Sequence, residues 1–182
     1  MKKILFLLLF SCSVLNANAT YWLCRVTANV NFRECPSTEC SRICQIPAGS
    51  YVVAEFEDYD YGTDFVNAVY IDKNIYGYVS SKFLKKEKIV DVNTDGVFDK
   101  TGTGTGYDPE LEIYNKTNMN IIVRINQKSF EFLPYERRTI TCAPGNVDIM
   151  ASAPGVIPFI GKDNVDVNGI YSWEFFIITR RR

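Results

Sequence analysis

The chain contains no histidine. That absence removes Ser-His-Asp and Cys-His nucleophilic catalysis, the two-histidine zinc helix and the usual zinc hydrolase centres from these 182 residues. No Cys-x-x-Cys occurs either, so the thiolate knuckle of a structural zinc site is missing. Charge of one sign is not concentrated: 20 Lys and Arg stand against 21 Asp and Glu. Only Arg180, Arg181 and Arg182 cluster, which reads as a solvated tail, and nucleic-acid binding has no electrostatic footprint. Beyond the first residues there is no long stretch with a 3.6-residue apolar period, which argues against helices.

What is present is 47% hydrophobic and 14% aromatic, the balance of a globular chain of one or two small domains. Many short β-branched and aromatic runs place it in the all-β class. Residues 1–19 read as a signal peptide: Lys2 and Lys3, an apolar run over 4–10, then Ala17-Asn18-Ala19, with cleavage expected after Ala19. The apolar run is too short to span a bilayer, so no transmembrane segment is expected. Leu9-Phe10-Ser11-Cys12 is a loose lipobox, the alternative in which Cys12 becomes a lipidated terminus. Either route exports the protein to a periplasmic or extracellular location.

The densest pattern lies at 30–49. Val30 and Phe32 alternate with polar neighbours, Pro36, Ser37, Thr38 and Glu39 supply turn chemistry, and Ile43 and Ile46 resume the apolar pattern. Pro47-Ala48-Gly49 makes a second turn before a strand over 51–56, and further strands are expected over 65–71 and 75–79. Asn31-Phe32-Arg33, Pro36-Ser37-Thr38, Pro47-Ala48-Gly49 and the run from Gly77-Tyr78-Val79 to Phe83-Leu84 resemble, in order, the motifs of the bacterial SH3-type (SH3b) domain. The resemblance covers roughly 22–86 and implies a small five-stranded SH3-like barrel over 20–86. There are two departures: Cys35 stands where the family has glycine, and the middle-strand tryptophan is absent, with Phe65 its nearest counterpart.

Export makes the cysteines informative, because disulfides persist in oxidising compartments. Cys24, Cys35, Cys40, Cys44 and Cys142 follow the leader. Cys35 and Cys40 flank a turn and would staple it, and Cys24 with Cys44 is the remaining pair if Cys142 is left over. Five cysteines with one left over allow five times three, or fifteen, pairings, so connectivity stays open.

After Leu84 the composition changes. Residues 85–88 are charged and compatible with one helical turn, and 87–107, ending in the tract 101–106 of alternating Thr and Gly, reads as a flexible linker. Asp91, Asn93 and Asp95 with Gly96 match the first half of a calcium loop, but its twelfth position is Gly102 instead of a carboxylate; an acidic turn is the expectation. Residues 108–182 read as a β-sandwich, with period-two runs at 111–115, 121–125, 130–132, 138–142, 147–151, 165–167 and 171–177. Their order resembles the small Ig-like or fibronectin-like domains of exported bacterial proteins. Cys142 is in phase with Ile140 and reads as a buried thiol; Asn115-Lys116-Thr117 is formally a glycosylation sequon.

Acidic residues cluster at Glu55, Glu57, Asp58, Asp60 and Asp64, but such a run between strands is usually a solvated loop, and no catalytic residue, metal or cofactor is expected. Binding is the better class. The SH3b resemblance implies recognition of peptidoglycan or another extended peptide. Tyr59, Tyr61 and Tyr76, in or near loops, offer amphipathic rings, and Asp58 and Asp60 offer carboxylates to the amines of a stem peptide. The alternative is an assembly subunit whose sandwich docks an envelope protein.

Overall fold

The computed structural model describes residues 19–56 and 64–177. Residues 1–18 of the expected leader, Cys12 among them, and the expected binding residues Asp58, Tyr59, Asp60 and Tyr61 lie outside the described residues. Within them the protein is all-β: sixteen strands and one short 3-10 turn, Ser81–Phe83. No helix among the described residues is long and apolar enough to cross a membrane.

The first unit is a single sheet of β1 (Thr20–Val26), β2 (Val30–Arg33), β3 (Arg42–Ile46), β4 (Tyr51–Phe56), β5 (Phe65–Tyr70), β6 (Ile75–Ser80) and β7 (Leu84–Ile89). Its order is β3-β2-β6-β5-β4-β1-β7, seven strands where the sequence suggests five. The alternating residues Val26, Val30, Phe32, Ile46, Val52, Ala54 and Val79 share one buried core. Gly77 permits the crossing of β2 over β6, because a side chain there would sit 2.6 Å from the Arg33 carbonyl oxygen. The charged run at 85–88 is a strand, not a helical turn: it pairs with β1, and Lys86 lies over the rings of Phe56 and Trp22 at 3.7 and 5.2 Å. Lysine stems cover apolar edge surface while their heads stay in water.

Cys35 and Cys40 form the expected disulfide, and the Arg33 guanidinium donates to the Cys40 carbonyl at 2.6 Å. The Cys24–Cys44 pair does not form; both are free thiols. Four strands separate β1 from β3 in the hydrogen-bonded order, and Cys24 points into the core while Cys44 only borders it.

The second unit comprises β8 (Val92–Asn93), β9 (Asp99–Thr103), β10 (Glu110–Asn115), β11 (Ile121–Ile125), β12 (Lys128–Phe132), β13 (Arg137–Thr141), β14 (Gly145–Ser152), β15 (Phe159–Val165) and β16 (Gly169–Phe175). They form two sheets, ordered β13-β10-β16-β9 and β12-β11-β14-β15-β8. Leu111, Ile113, Tyr171 and Phe175 from the first meet Ile121, Val123, Phe132, Val147 and Ile149 from the second in one core. The expected linker is corrected here, since β8 and β9 are outer strands of these sheets. Its Thr-Gly alternation is a strand period: Gly102 pairs with Ile170, and a side chain at Gly102 would meet that residue at 3.7 Å. Phe98 is buried beside Tyr171 and Trp173. Asp163 holds the turn before it, one carboxylate oxygen accepting from the backbone N–H of Val97 (2.7 Å) and Phe98 (2.8 Å).

Within the acidic turn, Asn93 Oδ1 accepts from Asp95 N, an Asx turn. Among the described residues, no three His, Cys, Asp or Glu side chains converge as metal ligands. The strand expected at 165–167 lies earlier, at β15, because Asp166 and Val167 belong to the turn in which Asn168 takes a positive φ of 60°. Asn115 is fully buried: its Nδ2 donates to the carbonyls of Met119 and Leu133, both at 2.8 Å, and its Oδ1 accepts from Thr117 N and Oγ1. The sequon asparagine is therefore an internal strut.

The two units touch along a seam. Val53 and Ile71 of the first bury against Ile160 of the second, with Tyr21, Leu23, Val92 and Met150 packed around them. Asn74, held in the left-handed region at φ 53°, donates to the Ser152 carbonyl at 3.1 Å, and Gly155 N–H donates to the Ile71 carbonyl at 2.9 Å.

Candidate functional site: the cleft at the seam

On one side of the seam a cleft of about 480 Å³ opens, walled by both units. From the first come Tyr21 on β1, Glu55 on β4 and Asn67 on β5, adjacent strands whose neighbouring residues Trp22, Ala54, Phe56, Val66 and Ala68 pack in or against the first core, so these polar positions face the other way. Tyr21 Oη donates to Glu55 Oε1 at 2.8 Å and Asn67 Nδ2 donates to Glu55 Oε2 at 3.1 Å. Both carboxylate oxygens are thus fixed acceptors. Burial, then the neighbouring Glu55 charge, pushes the Tyr21 hydroxyl well above the usual phenol range, which keeps it a donor.

The second unit supplies Arg124 on β11, Asp148 on β14 and Lys162 on β15, with Asn126, Gln127 and Asn146 beside them. Arg124 Nε donates to the Asn126 carbonyl at 3.1 Å, and its guanidinium stands 5.7 Å from the Tyr76 ring centre. Asn126 Oδ1 accepts from Asp148 N (2.9 Å), Asn146 Oδ1 accepts from Asn164 Nδ2 (2.7 Å), and Lys162 pairs with Asp148 at 3.3 Å. The wall is polar, carries both charge signs and is held by its own hydrogen bonds. Such a surface suits a hydrated ligand rich in hydroxyls, amides and ionised groups, bound with little reordering of side chains.

Of the sequence-predicted binding residues, only Tyr76 is described, and it lies near the start of β6, beside the turn that precedes the strand. Its hydroxyl meets Ser152 Oγ at 2.8 Å, so the ring is committed to the seam, in a recess it shares with Tyr21, Glu55, Asn67 and Arg124. Burial raises its phenol pKa. Of the acidic cluster, Glu55 belongs to the cleft, whereas Asp64 is paired with Lys82. Tyr21, Asn67, Arg124, Asp148 and Lys162 escape sequence reasoning. Asn67, polar in the middle of an otherwise apolar strand, is the one that carried a local signal.

Comparison of the chain with protein-family models, with curated proteins and with solved structures gives no match.

Proposed function

We propose that this is an exported, non-catalytic binding protein of the cell envelope, an SH3-type barrel joined to an Ig-like sandwich, whose seam cleft takes a cell-wall glycopeptide. The observation that carries the reading is the pre-organised polar wall: Glu55 fixed by Tyr21 and Asn67 on one side, Arg124 held by the Asn126 carbonyl and Asp148 paired with Lys162 on the other. N-acetylated sugars bearing short peptides present hydroxyls, amides, an ammonium and a carboxylate, the groups such a wall complements. In the chain, the cleft residues Glu55 and Asn67 flank 57–63, which carries the sequence-predicted Asp58, Tyr59, Asp60 and Tyr61. The SH3b-like motifs point to the same ligand class.

The test is retention of the mature protein on purified sacculi. Wild type is expected to be retained, and Arg124→Ala with Asp148→Ala to lose about tenfold in affinity, the equivalent of ~1.4 kcal/mol. Tyr59→Ala with Tyr61→Ala is expected to weaken retention as well. Wild-type protein that passes straight through would end the proposal. A second reading, an assembly subunit whose sandwich docks an envelope protein, draws on the exposed Leu133 and on Tyr135, a bulky residue at φ 60°. It would be favoured by absent sacculus retention together with partner capture lost on Tyr135→Ala.

A further inference from the structure

On the other side of the seam lies a second groove, of about 390 Å³ and mostly apolar in its lining. Its floor is Leu23 and Ile160, and its rims carry Ile89 and Ile157, each 49% exposed. One wall is the continuous stretch 88–93. That stretch joins β7, the last strand of the seven-stranded sheet, to β8, the last strand of the five-stranded sheet. Two sheet edges therefore meet at one apolar groove. Upstream, β7 presents exposed Lys85, Lys86 and Lys88 against Glu87, and one further carboxylate, Asp91, stands in the groove's wall.

We propose that this edge is a docking site for an acidic peptide segment in extended conformation. Its backbone would pair along β7 and 88–93, its carboxylates would face the lysines, and one apolar side chain would enter the groove between Ile89 and Ile157. Backbone pairing supplies affinity, and the pocket with the charge supplies selection. Lysines on an edge strand also oppose pairing between two copies of this chain, because antiparallel β7 edges would set like charges against each other. An edge closed to its own kind and open to an acidic strand is the combination that heterologous strand addition requires. The groove shares Ile160 with the polar cleft, but Lys85, Lys88 and Ile157 do not line that cleft.

Fluorescence anisotropy with a labelled nonapeptide alternating glutamate and valine, added to the intact two-unit protein, tests it. Saturable binding is expected, weakening about tenfold in Ile157→Asp and in Lys85→Glu with Lys88→Glu, and weakening on raising salt from about 0.05 M to about 0.5 M. The same peptide methylated on alternate backbone nitrogens is expected not to bind. Equal binding of the methylated peptide, or of one with lysine for glutamate, would overturn the proposal, as would no saturable binding. A dimer in sedimentation that dissociates in Ile157→Asp would assign the groove to a second copy and overturn it too. Circular dichroism shows whether each variant folds, with the lysine pair as the surface control. Sacculus retention is expected to be unchanged in both variants, which separates failure here from failure at the cleft.

Discussion

The two units use one class of secondary structure and secure it by different means. The first wraps a single sheet over a core of valines and alanines around Phe32, Ile46 and Tyr70, and ties its β2–β3 excursion with a disulfide. The second closes two sheets over a core rich in aromatic rings and ties its corresponding excursions with an amide, Asn115, that reaches the 116–119 turn and the start of the β12–β13 connection at once. A short covalent loop acts mostly on the unfolded chain. A buried amide acts on the folded one, since Asn115 and the Thr117 groups it serves lie away from water once the sheets meet. The two devices should therefore respond differently to the same insult.

The largest effect is expected at Asn115. Asn115→Ala leaves the N–H of Thr117 without a partner, a buried orphan that costs roughly 1 to 3 kcal/mol, and takes one of two donors from the carbonyls of Met119 and Leu133, which keep Thr117 Oγ1 and the Glu136 N–H. A loss of about 2 to 4 kcal/mol in urea unfolding is the expected outcome. Asn115→Asp should do nearly as badly, because it keeps the acceptor and removes the donor. A loss under about 1 kcal/mol for either would mean that water replaces the strut.

The middle effect is at the staple. Cys35→Ser with Cys40→Ser opens a loop only five residues apart in sequence, for which chain entropy gives about 2 kcal/mol. Because the loss lies in the unfolded state, reducing agent should lower wild type to the level of the double variant, lower Asn115→Ala by the same step and leave the double variant unmoved. Should the reductant destabilise the double variant further, some sulfur bridge other than this one is at work.

Much of the first unit was legible because its hairpins are local. Strands near 30–32, 51–56, 65–71 and 75–79 stand close to β2, β4, β5 and β6, and the Cys35–Cys40 staple follows from a turn between two cysteines. The second unit was legible only where alternation is strong, as in Val147, Ile149 and Ala151. β8 and β9 were not, since a Thr-Gly tract shows its strand character only against Ile170, almost seventy residues away in the chain. Asn115 read only as a formal sequon at a strand end, because nothing local reveals that this end is roofed by another sheet. The cleft was the hardest to see. A polar residue on the outward face of a strand reads alike whether water or a second unit stands opposite, and Tyr21 and Asp148 meet only when both units are in place.

The smallest effect separates the units by pH. Burial pushes the Cys24 thiol in the first core up to about 11, from an ordinary value near 9.0. A thiol with a raised folded-state value holds its proton while the unfolded chain loses it. Its contribution is therefore complete below pH 9 and is lost as pH rises from there through about 11. The slope in that window is at most about 1.4 kcal/mol per pH unit for one proton. Cys142, half-buried in the second unit, is also raised, by desolvation and then by Asp108. Unfolding midpoints in urea at intervals between pH 8 and 11 should decline in wild type and decline less in Cys24→Ala, after its constant core penalty is subtracted. Cys142→Ala, at a site bordering the other core, should flatten the curve less. Equal flattening by both substitutions would show the two cores to be equally closed to water, and the contrast between a tightly wrapped single sheet and a two-sheet core with a thiol at its margin would fail at that point.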